Sequence, residues 1–500
     1  MKKIFFLGFI FISVFTEAQK RSNPAPFANT ITADDLKHHL YIVASKEMEG
    51  RETATPGQRR AAAYIEEQFK SYGLLPGNNG SYQLFYNVYQ DSLLNATVEI
   101  KGQAYDIDKD FAINIGQSYP STYRFSEVAF VGYGIGDSSR DDYKGLDVRG
   151  KTVLILAGNP PNSKNASAFS KIEAAQKNGA AAILMIATNF PRQTRTNPLG
   201  NMYVNAFRKS INPNQYSVSE KIAEAIMGED YQKAKTGTVQ PKIYQANVLL
   251  SLNKITTTLQ SSNVMGLLEG TDLKNEYVFI TGHYDHLGKR DTVIFYGADD
   301  DGSGTVSVLE IAEAFSKAKA AGKGPRRSIV FMTVSGEEKG LWGSAYYGEH
   351  PVFPLEKTTV DLNIDMIGRI DPKRTQGDSL NYVYVVGDDK LSSDLRTISE
   401  AMNKKYTKME LDYKYNDPKD PERIYFRSDH YNFAKNGVPI IFYFNGTHKD
   451  YHRPSDTPDK INYELMKKRA QFVFYTAWEM ANRNDMLKRD IPLDKPLLGR

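Results

Sequence analysis

The sequence predicts an α/β protein with a doubly wound, mixed but mostly parallel sheet that is flanked by helices. From about Asn263, short apolar runs of the kind that form strands buried on both faces alternate with segments of helical periodicity. The chain has 500 residues, of which 41% are hydrophobic, so it can bury more than one core. In sheets of this class, functional side chains gather at the carboxyl ends of the strands.

The first 18 residues are predicted to be a cleaved export signal. Lys2 and Lys3 precede an apolar stretch at residues 4–14, and Thr16 and Ala18 have the spacing that a signal peptidase reads. The stretch is too short to remain as a membrane-spanning helix. We therefore expect cleavage near Ala18, a secreted or periplasmic protein and no permanent membrane anchor.

Residues 19–110 are predicted to be the N-terminal part of the main domain. The stretches TADDLKHHLYIVAS and TPGQRRAAAYIEEQFKSYGL combine an N-cap with helical apolar spacing and predict two helices. From about residue 81 the pattern changes to alternating runs such as SYQLFYNVYQ, which predict strands.

Residues 111–250 are predicted to be an inserted domain rich in strands. Short runs with glycine turns are followed by SKIEAAQKNGAAAILMI, which predicts a helix and a buried strand. We find no motif with catalytic potential between Phe111 and Leu250. The inserted segment is therefore expected to cover the reactive site or to select what reaches it, and not to take part in the chemistry.

Residues 251–500 are expected to carry the chemistry. Segments of helical periodicity separate five apolar runs that suit parallel strands. The predicted strands are EYVFITG, SIVFMTV, VDLNIDMI, YVYVVG and VPIIFYF, and the predicted helices are GTVSVLEIAEAFSKAKAA, LWGSAYYGEH and DLRTISEAMNKKY.

Polar clusters stand at or after the ends of these predicted strands. Each one alone could be a hydrogen-bonded loop anchor, or favourable charge at a helix N-terminus. One sheet edge would bring them all together, and several uncompensated carboxylates there would destabilise one another unless cations bind. The clusters are His283, Tyr284, Asp285 and His286; Asp299, Asp300 and Asp301; Glu337 and Glu338; Asp365; and Tyr451 and His452.

This set of side chains suits catalytic zinc. The chain has no cysteine, so imidazoles and carboxylates are the donors, and one carboxylate could bridge a pair of ions. Calcium favours all-oxygen sites, and magnesium does not need two histidines. The adjacent Glu337 and Glu338 fit a metal-assisted hydrolase, because one carboxylate can bind metal while the other takes a proton from the attacking water. A net charge of +4 without a Lys/Arg block argues against a nucleic-acid partner.

Five motifs resemble, in order and spacing, those of the exported di-zinc exopeptidases that include bacterial leucyl-type aminopeptidases, plasma glutamate carboxypeptidase and glutamate carboxypeptidase II. They are GHYDHLG, GADDDGSG, SGEEKGLWGS, NIDMIG and DYHRPSDTPDKI. The resemblance covers about half of the chain, from Asn263 to the end, with the N-terminal helices in addition. VGYGIG, YKGLDVRGKTVLIL and AAQKNGAAAILMI resemble the protease-associated domain inserted in this family. The implied fold is thus zinc-peptidase-like with an inserted β-rich protease-associated domain.

The resemblance implies two Zn²⁺ ions and a role for each matching residue. His283 and Asp365 would bind one ion, Glu338 and His452 the other, and Asp300 would bridge both. Asp299 stands as the alternative bridge, because three acidic residues are adjacent in the sequence.

Further roles follow from the same resemblance. Glu337 would be the general base and acid, Asp285 would orient His283, and Tyr451 would donate to the oxyanion. Arg427 is a candidate substrate contact. His286 and His430 are expected to be structural residues.

The predicted function is that of a zinc-dependent aminopeptidase acting on peptides. Its alternatives are a carboxypeptidase or dipeptidase on the same site and a receptor-like binding protein on this scaffold without the chemistry. A glutaminyl cyclase is disfavoured, because that branch functions with a reduced metal set and all five ligand positions are present here. A second metallopeptidase family with an HxD motif is disfavoured, because it lacks the GADDDGSG loop and the YHRPSDT ending. The sequence contains no signal for the side-chain preference or the oligomeric state.

Overall fold

A computed structural model describes residues 22–138, 140–160, 166–205 and 212–493. The predicted export signal lies outside the described residues. The chain forms two compact units, one made of residues 22–86 and 261–493 and the other of residues 87–260. These units divide near residues 86 and 260, whereas the sequence pattern predicted domain boundaries near 110 and 250. The assignment of the inserted segment to a protease-associated domain stays a prediction.

The sheet of the first unit is mixed and mostly parallel, which confirms the predicted fold class. The run YVYVVG, expected to be a parallel strand, pairs antiparallel with one neighbour and parallel with the other. Antiparallel pairing also occurs at the opposite edge. The strands lie in the order Glu410–Asp412, Tyr382–Val386, Ile440–Phe444, Thr358–Ile364, Leu273–His283, Arg327–Val334 and the last residues of Lys242–Leu268, with Leu75–Pro76 beside them.

Helices flank this sheet, and their starts follow from the sequence. The Thr32 side chain accepts a hydrogen bond from the Asp35 N–H, and Thr55 caps the next helix, whose first residue is Pro56. The α-helices of the first unit are Ala25–Ala28, Ala33–Val43, Pro56–Ser71, Gly304–Ala320, Trp342–Glu349, Leu395–Met402, His430–Lys435 and Tyr463–Asn482.

Alternate residues of the central strands enter two hydrophobic cores. In the strand Arg327–Val334, Ile329 and Phe331 belong to one core, while Val330 and Met332 belong to the other. Every residue of this strand is buried. Burial on both faces explains why the strand appears in the sequence as a continuous apolar run. In the part of the chain that the structure describes, no helix combines the length and apolarity needed to cross a membrane.

The second unit has its own row of strands and its own hydrophobic cores. The first residues of Lys242–Leu268 lead a row of strands that continues with Ser121–Phe130, Thr152–Ile155, Ala182–Ile186, Asn214–Val218 and Phe111–Ile113. The later part of Gln83–Ile100 pairs with Gln103–Tyr105 and Leu199–Tyr203. Its α-helices are Ala168–Lys177, Glu220–Met227 and Asp230–Lys235.

Candidate metal centre

Four parallel strands of the first unit end at the same edge of the sheet. His283 is the last residue of one strand, and Asp365 directly follows another. Glu337 and Glu338 come shortly after Val334, and the loop after Phe444 leads to Tyr451 and His452. Parallel pairing therefore delivers side chains that are far apart in the sequence to one place.

Asp300 lies between two histidines. Its Oδ1 is 3.2 Å from Nε2 of His283, and its Oδ2 is 3.1 Å from Nε2 of His452. Asp365 Oδ1 is 3.6 Å from the same His283 nitrogen, and Glu338 Oε2 is 3.2 Å from the same His452 nitrogen. The structure thus brings together all five side chains expected to hold metal, in two groups that share Asp300.

The carboxylates on either side of Asp300 are engaged elsewhere. Asp299 accepts hydrogen bonds from the Gly368 N–H at 2.7 Å and the Asn445 amide at 3.1 Å. Asp301 lies within reach of His283 and Asp365, but main-chain N–H groups, among them those of His283 and Gly304, donate to both of its oxygens. This geometry favours Asp300 over Asp299 as the shared carboxylate.

The donor atoms fit a bound cation. Buried polar groups ordinarily find hydrogen-bond partners, yet five buried side-chain atoms of this cluster have none among the described residues. Nitrogen and carboxylate donors at this spacing match the ligand preference of zinc. The five atoms are His283 Nε2, Asp300 Oδ2, Glu338 Oε1, and both ring nitrogens of His286.

Charge coupling in the cluster is strong. Burial alone would lower the pKa of His283, but the surrounding carboxylates, Asp365 foremost, raise it well above its usual value. Burial opposes ionisation of Asp300 as well, yet His283 and His452 hold the pKa of Asp300 well below its usual value. The pKa of His452 rises to about 10, because Asp300 and Glu338 outweigh the effect of burial. These shifts have one cause, which is the close packing of carboxylates around the two imidazoles.

Glu337 lies beside the cluster rather than within it. Its Oε2 is 3.9 Å from His283 Nε2, and burial raises the pKa of Glu337 well above its usual value. Asp285 accepts from the Glu337 N–H at 3.2 Å and from the Thr53 hydroxyl at 2.7 Å. The carbonyl oxygen of Asp285 lies 3.0 Å from His283 Nδ1, whereas its carboxylate is 3.8 Å away. The closer contact of Asp285 with His283 is therefore made by the main chain.

Two further side chains line the same edge. Arg427 Nη2 donates to the Tyr451 hydroxyl at 3.0 Å, and the Tyr451 ring stacks on His452 with centroids 3.9 Å apart. His430, by contrast, is fully buried, and its Nε2 lies 2.8 Å from the Tyr425 carbonyl oxygen. Burial lowers the pKa of His430 to about 3, and neither candidate metal-binding group contains this residue.

The sequence placed His286 in the polar cluster after a buried strand but favoured a structural role for it, and that role stays a prediction. The structure places its Nδ1 2.7 Å from Glu338 Oε1, and His286, Asp300 and Glu338 form a group that could hold a metal. The available signal was the spacing of His283 and His286 directly after a buried strand.

Part of the chain is similar to a known protein family. Residues 263–477 match peptidase family M28. A probable leucine aminopeptidase from Arthroderma otae is 30% identical over 219 residues, which are 42% of this chain and 56% of that protein. Aminopeptidase YwaD from Bacillus subtilis is 23% identical over 360 residues, which are 70% of this chain and 67% of that protein. These matches confirm the resemblance that the motifs indicated, although the chain spans only about half the length of the fungal leucine aminopeptidases.

Solved structures share the fold. An aminopeptidase from Aneurinibacillus sp. strain AM-1 aligns with a TM-score of 0.56 at 21% identity, covering 94% of this chain and 99% of its own. BSAP, a zinc aminopeptidase from Bacillus subtilis, aligns with a TM-score of 0.51 at 19% identity, covering 92% and 99%.

Proposed function

We propose, from the match of residues 263–477 to peptidase family M28, that the protein is a zinc-dependent exopeptidase. Among exopeptidases, we propose an aminopeptidase. The observation that carries this proposal is the convergence of five separated side chains, with Asp300 between two histidines. Several of their buried donor atoms have no hydrogen-bond partner among the described residues. The receptor-like alternative would be marked by lost ligand positions, and all five are present in this sequence. Export, indicated by the first 18 residues, belongs to the same proposal.

The residues divide into two metal subsites. His283 and Asp365 would hold one zinc ion, Glu338 and His452 the other, and Asp300 would contribute one oxygen to each. When bound, the two ions would supply an activated water and polarise the scissile carbonyl group.

The remaining residues act on protons and charge. Glu337 carries no metal in this proposal, and it would take a proton from the attacking water and pass it to the departing amine. Burial suits this role, because it raises the affinity of the carboxylate for a proton. Tyr451 would donate its hydroxyl hydrogen to the oxyanion. Because Arg427 already donates to the Tyr451 oxygen, the hydroxyl hydrogen is free for the substrate.

The experiment is a panel of dipeptides and aminoacyl anilides with free or blocked ends, assayed with and without a chelator. An aminopeptidase cleaves only substrates with a free N-terminus, loses activity on chelation and regains it with zinc. Cleavage that requires a free C-terminus instead would establish the carboxypeptidase alternative. Zinc binding without turnover of any substrate would favour the receptor-like alternative.

A further inference from the structure

We propose that His286 is an additional nitrogen ligand of the subsite formed by Asp300, Glu338 and His452. This inference rests on the proposed two-metal function and goes beyond the five ligands that the family resemblance implies. It would give that subsite two imidazoles and two carboxylates.

The position of the imidazole supports this assignment. His286 is fully buried, and its Nδ1 lies 2.7 Å from Glu338 Oε1 and 3.9 Å from Asp300 Oδ2. Nδ1 therefore lies at ion-pair distance from a carboxylate, although neither ring nitrogen is assigned a hydrogen-bond partner among the described residues. A buried imidazole with both nitrogens unsatisfied is costly unless another group binds one of them.

The surrounding backbone holds the ring in place. The His286 N–H donates to the Arg51 carbonyl oxygen at 3.3 Å, and the Arg51 guanidinium donates to the Gly297 carbonyl oxygen at 2.9 Å. A Cβ atom at Gly297 would lie 2.5 Å from the His286 ring, so only glycine leaves room for the imidazole. The ring also packs edge-on against His452, with centroids 6.0 Å apart. The chain therefore builds a fitted pocket for this side chain next to the predicted ligands.

Four protein ligands would make the two subsites unequal. Structural zinc sites are closed by four protein ligands, whereas catalytic sites keep an open position. The subsite with His286 would be of the closed kind. The subsite of His283 and Asp365 would keep the open positions, and its ion would be released first.

The test measures metal binding rather than turnover. Wild-type protein, His286→Gln and the matched control His430→Gln are stripped of metal and titrated with Zn²⁺ against a chromophoric chelator. In His286→Gln, the affinity for the more tightly bound of the two zinc ions should fall at least about tenfold. The control should keep the wild-type affinity for both zinc ions. With Co²⁺ in place of zinc, the visible absorption of the more tightly bound cobalt ion should also change in His286→Gln.

A measurement on the wild-type protein keeps the inference independent of variant folding. X-ray absorption of the fully loaded protein should count about 1.5 imidazoles per zinc if His286 binds, against about 1.0 if it does not. A count near 1.0, or unchanged affinity and absorption in a folded His286→Gln, would overturn the assignment. Failure of the proposed function has a different signature: wild-type protein would bind no stoichiometric zinc, or would bind zinc without turning over any peptide substrate, and neither result depends on the imidazole count.

Discussion

The main-chain N–H of Glu337 donates a hydrogen bond to the carboxylate of Asp285 at 3.2 Å. This bond ties the loop with the two glutamates to the segment that follows His283. The same carboxylate accepts from Thr53, so its position is fixed from two sides. The proposed base is therefore placed by its backbone, and its side chain remains available for proton transfer.

Glu337→Gln should abolish most turnover without loss of metal. Glutamine preserves the shape of the side chain but cannot take a proton, so kcat should fall about 10²- to 10⁴-fold. Zinc content and hydrolysis of an aminoacyl anilide are measured on the same sample. Glu338→Gln is the matched control, and it should lose zinc because that carboxylate belongs to the metal cluster. Near-wild-type turnover in Glu337→Gln would remove this residue from the mechanism.

Much of the fold was accessible from the sequence because buried strands and capped helices leave local patterns. The apolar run SIVFMTV corresponds to Arg327–Val334, and Thr55 with Pro56 marks the start of a helix. Strand direction leaves no such mark, which is why Tyr382–Val386 was expected to be parallel to its neighbours. A strand buried on both faces has the same composition in either orientation.

The candidate site was accessible for a different reason. Its acidic and imidazole side chains stand at strand ends, where parallel pairing brings them together. The sequence also places His286 at a strand end, but its surroundings depend on a contact with Arg51, which is more than two hundred residues away. Contacts between segments more than two hundred residues apart have no local signature.

Tyr451→Phe should reduce kcat more than it changes KM. Loss of a hydroxyl that donates to the oxyanion costs about 10²- to 10³-fold in kcat. Steady-state kinetics on one anilide substrate measures both parameters. Arg427→Met is the comparison, because it removes the donor to the Tyr451 oxygen while leaving the hydroxyl, and its effect on kcat should be smaller. An equal kcat for Tyr451→Phe and wild type would exclude the hydroxyl from catalysis.

Arg51 should be critical for stability, because the hydrogen bonds that its side chain makes to the described residues hold the main chain. Its guanidinium is fully buried and donates to four main-chain carbonyl oxygens, those of Val43, Tyr284, Tyr296 and Gly297. Each buried carbonyl left unsatisfied costs about 1–3 kcal/mol, so Arg51→Met should lower the free energy of unfolding by about 3 kcal/mol or more.

Denaturant unfolding of the metal-free protein measures this difference. Arg60→Met is the control, because Arg60 is an exposed arginine whose ion pair with Glu49 should be worth less than about 1 kcal/mol. Similar losses in both variants would show that the buried hydrogen bonds of Arg51 add nothing to stability.

His430 should make the protein less stable in acid. Burial lowers its pKa to about 3, whereas an unfolded histidine titrates near about 6.5, so the unfolded chain takes up the proton first as the pH falls. The stability due to neutral His430 is complete above about pH 6.5 and is lost as the pH falls towards 3. Glutamine at position 430 does not titrate, so His430→Gln serves as the reference. Relative to it, the free energy of unfolding of wild type should fall by about 1.4 kcal/mol per pH unit well below pH 6.5.

The measurement is the free energy of unfolding by denaturant at several pH values between about 6.5 and 4.5, where the unfolded histidine titrates. The free energy of unfolding of His430→Gln is subtracted from that of wild type at each pH. This subtraction cancels the titration of the carboxylates, which both proteins share. His350→Gln, at an exposed histidine, is the matched control and should track wild type. A difference between wild type and His430→Gln that stays constant with pH would mean that His430 takes up its proton equally in the folded and unfolded chains.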